Sequence, residues 1–84
     1  MKLRPEVRLF AAMMERKLQA NEHKGGWQDD TALALLRRLR EEADELERCL
    51  QVGMSAPTVA YEAADVANFA MMIADVVGGL LDEG

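Results

Sequence analysis

Four carboxylates in this sequence share one spacing. Glu42 and Glu45 are three residues apart, and so are Glu62 and Asp65. On a helix that interval projects two side chains from the same face. The second pair has the more informative surroundings. Apart from Asp65, Asn68 and Asp75, every residue from Ala63 to Leu81 is alanine, glycine, valine, leucine, isoleucine, methionine or phenylalanine. A helix of that composition is hydrophobic nearly all round and belongs in the middle of a bundle. Carboxylates there are costly unless they are paired, protonated or bound to a cation. No lysine or arginine follows Arg48, so this segment offers no basic partner of its own, and a divalent metal is the economical explanation. Two helices that each present such a pair bring four oxygen donors toward one point. Hard cations such as Mg²⁺ or Mn²⁺ prefer ligands of that kind.

Periodicity locates the elements that must hold these acids. Pro5 suits the first turn of a helix, and Val7, Phe10, Ala11, Met14 and Leu18 continue at steps of three and four to about His23. The Gly25-Gly26 pair stops that helix, and Asp30 or Thr31 caps the next. The second helix is expected from Thr31 to Val52, with Leu36, Leu39, Ala43, Leu46 and Leu50 as a coiled-coil-like seam. Gly53 ends it, and Ser55 and Pro57 open a third helix whose seam is Val59, Ala63, Val66, Ala70, Ile73 and Val77. Gly78-Gly79 loosens its end, and Asp82-Glu83-Gly84 is expected to fray. At about 100° per residue, Glu42 lies roughly 80° from the centre of the leucine seam and Glu45 roughly 140° from it. Leu35 and Cys49 share their flank, so that side of the second helix is expected to be covered as well. The fold class implied is all-α: one domain over residues 1–84, an antiparallel bundle of three main helices per protomer, completed by oligomerisation. An all-round hydrophobic helix in a chain of 84 residues leaves apolar surface that one protomer cannot cover.

Composition narrows the function classes. The net charge of −5 divides unevenly: residues 1–40 carry nine Lys/Arg against five Asp/Glu (+4), and residues 41–84 carry one against ten (−9). An acidic chain without a basic stripe is a poor candidate for binding a nucleic acid polymer. A basic half facing an acidic half suits an anion bound through a bridging metal. The single cysteine, Cys49, excludes an internal disulfide framework and suits a reducing, cytoplasmic location. No signal peptide is expected at the charged N terminus, and the apolar run from Val66 to Leu81 is too short and too polar for a membrane span. The lone histidine, His23, argues against a di-iron carboxylate bundle, which needs Glu-x-x-His motifs.

In order and spacing, Glu41-Glu42-x-x-Glu45 followed by Glu62-x-x-Asp65 resembles the EExxE…ExxD signature of the MazG-like all-α nucleotide pyrophosphohydrolases, relatives of the dimeric dUTPases. The Lys24-Gly-Gly-Trp27 loop and the run Leu39 to Leu46 are similar to that family too, and the resemblance covers about residues 10–78. It implies Mg²⁺-dependent hydrolysis of a nucleoside triphosphate to the monophosphate and pyrophosphate, in the service of nucleotide-pool house-cleaning. By motif position Glu42, Glu45, Glu62 and Asp65 would be metal ligands. Glu42 would also serve catalysis, and Glu41 would be a further ligand or the group that orients the attacking water. A homodimer or homotetramer would border the nucleotide site with residues of two chains.

Other residues carry two readings each. Trp27 stacks on a base or plugs the corner between the first two helices. Lys24 reaches a phosphate or neutralises a helix C-terminus, and Lys17 and Arg16 are further phosphate candidates. Asn68 hydrogen-bonds a base or sugar, or bridges helices inside the bundle. Asp75 is too far along for the metal and is expected in a structural contact. Phe69 and the Met13/Met14 and Met71/Met72 pairs are expected in core or subunit interface. The rival to the enzyme is a non-catalytic helical oligomerisation or regulatory module. It accounts for the seams and the acidic face, the latter as a solvated surface supported by pairs such as Arg38–Glu42 and Glu45–Arg48. It leaves unexplained why acids interrupt the most apolar helix.

Overall fold

A computed structural model describes residues 1–81. The helices are α1 (Pro5–Ala20), α2 (Ala32–Val52) and α3 (Ala56–Val76), with a single 3₁₀ turn at Glu22–Lys24. No strand occurs among the described residues. The terminal residues 82–84, where fraying is expected, lie outside the description.

Local chemistry sets most of the boundaries. Thr31 caps α2, its Oγ1 accepting from the Ala34 amide at 3.1 Å, and Ser55 caps α3 by accepting from the Thr58 amide at 3.4 Å. Gly53 ends α2 in the left-handed region at φ 72°, and the Met54 amide reaches back to the Cys49 carbonyl at 3.0 Å. That is the hydrogen-bond pattern of a glycine-terminated helix. The first helix stops earlier than the glycine pair implies. Asn21 turns its side chain back so that Nδ2 donates to the Lys17 carbonyl at 3.1 Å, and its own amide donates to the Leu18 carbonyl at 3.2 Å. With those carbonyls satisfied at Asn21, the chain passes into the 3₁₀ turn and then through Gly25 at φ 87°, a conformation that disfavours any side chain.

The helix α3 touches both others, and α1 and α2 do not approach each other directly. The most buried positions define the contact. On α2 these are Leu35 and Cys49, on α3 Ala64 and Asn68. Leu35, Glu42 and Cys49 are spaced by seven, so they lie within about 40° of one another on α2. The packed face is therefore the flank that carries Glu42, rotated away from the leucine seam expected to be the core. Small residues on α3, above all the fully buried Ala64, let the backbones approach there. Along the seam, Leu36, Leu39, Ala43 and Leu46 are only half-buried, and Leu50 is 61% exposed. The seam expected on α3 behaves alike: Ala70 and Val77 are exposed, the rest half-buried.

These open faces leave a large surface. The accessible area is 6471 Å², against about 5,000 Å² for a folded monomer of this mass. The radius of gyration is 13.7 Å, against about 12 Å for a compact chain of this length.

Candidate functional site

Because α1 and α2 meet only α3, a cleft of about 640 Å³ opens between them. Its walls come from Lys17 and Leu18 of α1, the turn from Lys24 to Trp27, Leu35, Arg38 and Glu42 of α2, and Asp65, Asn68 and Phe69 of α3. The glycine turn is held over one end by Trp27, whose indole Nε1 donates to Asp75 Oδ2 at 2.9 Å. This bond fixes the indole against α3 and gives Asp75 its structural contact. Asp65 and Asp75 are ten residues apart, which separates the two ends of the cleft by about 15 Å along α3.

At the other end stand the acids. Glu42, Glu62 and Asp65 each offer a carboxylate oxygen, and these oxygens lie within 4.8 Å of one another. All three residues are half-buried. Burial pushes the Glu42 carboxyl above the ordinary glutamate range, and the negative charges of Asp65 and Glu62 push it further in the same direction; Arg38 opposes them. The cluster is thus charged against itself. Lys17 from α1 supplies the one close cation found among the described residues: its Nζ is 3.2 Å from Asp65 Oδ2 and 5.5 Å from the centre of the Tyr61 ring. No base follows Arg48 in the chain, yet α3 does have a basic partner, delivered from 48 residues earlier by the packing of α1.

The remaining candidates are distributed around this centre. Glu45 and Glu41 are exposed and lie outside the three-acid group. Glu41 accepts from Arg38 Nε at 3.3 Å on the surface, an exposed pair of a kind that contributes little to stability. Lys24 and Trp27 sit at the cleft wall. Asn68 is buried and joins two helices, its Nδ2 donating to the Met14 carbonyl at 3.1 Å. Its Oδ1 is buried and meets no donor among the described residues.

Arg38 and Phe69 are cleft residues that motif spacing did not single out for the site. The guanidinium lies 5.2 Å from the Phe69 ring centre, within cation–π range. The available signal was the register: Arg38 precedes Glu42 by one turn on the same flank. Arg16, the weaker phosphate candidate, is exposed and does not line the cleft.

Comparison with protein-family models, with curated proteins and with solved structures finds no match to this chain. Among the described residues, no helix is long and apolar enough to cross a membrane.

Proposed function

We propose that this chain is a Mg²⁺-dependent nucleotide pyrophosphohydrolase of the MazG-like type, converting an NTP or dNTP to the monophosphate and pyrophosphate. The observation that carries the reading is the convergence of Glu42, Glu62 and Asp65 within 4.8 Å, beside a cleft that also presents Lys17, Lys24 and the rings of Trp27 and Phe69. A triphosphate needs neutralised charge at one end of its site and an apolar planar surface at the other, and the cleft offers both.

The donor set fits a hard divalent ion. All three groups are carboxylates, the ligands a hard divalent ion prefers, and with oxygens within 4.8 Å of one another Glu42, Glu62 and Asp65 would hold it. Lys17 is a stand-in for the ion, a positive group held against Asp65. Glu45 as a further ligand, and Glu41 as ligand or water-orienting group, enter on the resemblance. A bound ion would neutralise phosphate charge and lower the pKa of a coordinated water. The chain's own groups bind and orient. Lys24 and Lys17 face the phosphates, Trp27 and Phe69 give the base its stacking surfaces, and α3 anchors both ends of the substrate on one rigid element. In the overall reaction the oxygen of water bonds to phosphorus and the bond to the pyrophosphate oxygen breaks.

The same reading completes the fold. We read α3 as running antiparallel to both α1 and α2, a reading supported by Met14 and Lys17 of α1 against Asn68 and Asp65, and by Arg38 and Glu42 of α2 against Phe69 and Glu62. The excess surface and the two half-open seams are covered by further copies, giving a homodimer or homotetramer.

A panel of NTPs and dNTPs, incubated with Mg²⁺ and assayed for pyrophosphate, tests the activity. Release by the wild type and not by the Glu42→Gln/Glu62→Gln double variant is expected. Absence of release across the whole panel would remove the enzyme reading and favour the helical module.

A further inference from the structure

Arg38 carries a finer assignment, which rests on the nucleotide reading above. The cations given to the phosphates so far, Lys17 and Lys24, stand on α1 and the turn that follows it. Of these, Lys17 is already paired with Asp65 at 3.2 Å. From the other wall α2 puts a single basic side chain into the cleft, and that is Arg38. Its guanidinium is far from saturated. Glu41 meets it through Nε at 3.3 Å on the exposed surface, and no other carboxylate pairs with it among the described residues. Glu42, one turn further along α2, feels its charge without forming an ion pair. A guanidinium has five N–H donors, more than one carboxylate can engage.

The surroundings position this group without neutralising it. The guanidinium lies over the Phe69 ring, 5.2 Å from its centre, and a ring, unlike a carboxylate, leaves the charge uncancelled. Phe69 is one turn of α3 beyond Asp65, so Arg38 stands between the acids and the indole that Asp75 holds. That is where a nucleotide passes from base to phosphates. A smaller hollow of about 320 Å³ also borders Arg38 and Phe69, and the side chain is 59% exposed, so its head has room to turn. The charge balance asks for such a group. Three acids outweigh one divalent ion, and a triphosphate adds further negative charge, which cations of the chain must meet. We infer that Arg38 is a substrate-binding residue of this site, its guanidinium gripping the phosphate chain from the α2 wall, across the cleft from Lys17 and Lys24. An arginine fork matches a phosphate with two parallel hydrogen bonds. The triphosphate is then held from both walls, and α2 sets its position as much as α1 does.

The test is calorimetric binding to the full chain in Mg²⁺. Its probes are the uncleaved α,β-imido analogues of the nucleoside triphosphates, and inorganic triphosphate, which has no base. Arg38→Met keeps an unbranched chain over Phe69 and removes the fork. It is expected to weaken the best-bound analogue and inorganic triphosphate about tenfold each, as loss of a hydrogen bond to a charged group does. Mn²⁺ titrated alone should bind the variant at least as tightly as the wild type, because a positive neighbour of Glu42 is gone. A damaged fold would instead weaken all three probes. Arg38→Lys keeps the charge without the fork and should recover part of the loss. Equal losses for Mn²⁺ and the phosphate probes would mean that Arg38 acts only through the fold, and would overturn the assignment. A weakened analogue beside unchanged inorganic triphosphate would place the contact on base or sugar, and would also overturn it. So would an Arg38→Met protein that binds every probe as the wild type does. Should Arg38→Met not fold, Arg38→Lys decides by the same comparison, a severalfold loss of both phosphate probes with Mn²⁺ unchanged being expected. Wild type that binds none of the analogues would refute the nucleotide reading itself, a different failure from the others.

Discussion

Replacing Glu42 by glutamine should stabilise the protein in the absence of divalent ions and destabilise it, relative to wild type, in their presence. The magnitude follows from the cluster. Two unit charges at 4.8 Å, the outer bound for these oxygens, repel by about 0.9 kcal/mol in water and about 3.5 kcal/mol at an effective dielectric constant of 20. The acids are half-exposed and screened by salt, so the lower figure is nearer. Glutamine removes two such repulsions, with Glu62 and Asp65, and gives up the favourable field of Arg38. A net gain of about 1 kcal/mol remains, which for a domain of this size raises Tm by about 4–8 °C. An ion that binds the folded wild type reverses the order, since a ligand at a hundred times its Kd contributes about 2.7 kcal/mol. Calorimetry of both proteins, at one protein concentration and matched ionic strength, in EDTA and in millimolar Mg²⁺, reads both effects. The pH dependence has a definite sign. The folded state holds the Glu42 proton more tightly than the unfolded chain does, so this contribution to stability is complete below the ordinary glutamate value. It is lost as pH rises through the higher folded-state value. That falling component should be present in EDTA for wild type and missing for Glu42→Gln. A variant less stable than wild type in EDTA would show that the three acids do not repel one another, and an equal Mg²⁺ shift in both proteins would show that Glu42 does not hold the ion.

Three further outcomes follow. Lys17→Met removes the ammonium that faces Asp65 at 3.2 Å; it should lower Tm in EDTA by a few degrees, as a partly exposed pair of up to about 1 kcal/mol would, and strengthen Mn²⁺ binding several-fold by calorimetric titration. Unchanged Mn²⁺ affinity would show that Lys17 does not compete for the site. Asp75→Ala frees the indole of Trp27 and should cost about 1–2 kcal/mol in urea unfolding. Because Trp27 is the only tryptophan, its emission should shift to the red in the folded variant; an unmoved spectrum would contradict the contact. Sedimentation of the wild type at micromolar concentration should show a dimer or tetramer, and a monomer would sink the completion of the bundle by further copies.

Much of this architecture is written locally. Caps at Thr31 and Ser55 and the left-handed Gly53 are decisions of a few neighbouring residues, which is why α2 and most of α3 can be read from the chain. The end of α1 is also local, but Asn21 is a weaker mark than the glycine pair after it, and the nearer residue wins. The seams are harder. Leucines at three- and four-residue steps announce that a helix has an apolar face without saying which neighbour covers it. Here the positions most buried within the chain lie on the adjoining flank of α2, Leu35 and Cys49, and on α3 at Ala64. For the candidate site, i/i+3 spacing identifies pairs of acids on each helix. It does not fix the rotation of one helix against the other, so Glu42 meets Glu62 and Asp65 and Glu45 stays exposed. Contacts such as Lys17 with Asp65 and Trp27 with Asp75 join residues 48 apart and have no local signature at all.

The proposed cleavage releases pyrophosphate in one piece. The most direct measurement is ³¹P NMR of the best NTP or dNTP incubated with the wild-type protein and Mg²⁺. The three triphosphate resonances should give way to those of the nucleoside monophosphate and pyrophosphate, and EDTA should stop the change. Nucleoside diphosphate with inorganic phosphate, or a triphosphate that persists unaltered, would contradict the proposed cleavage.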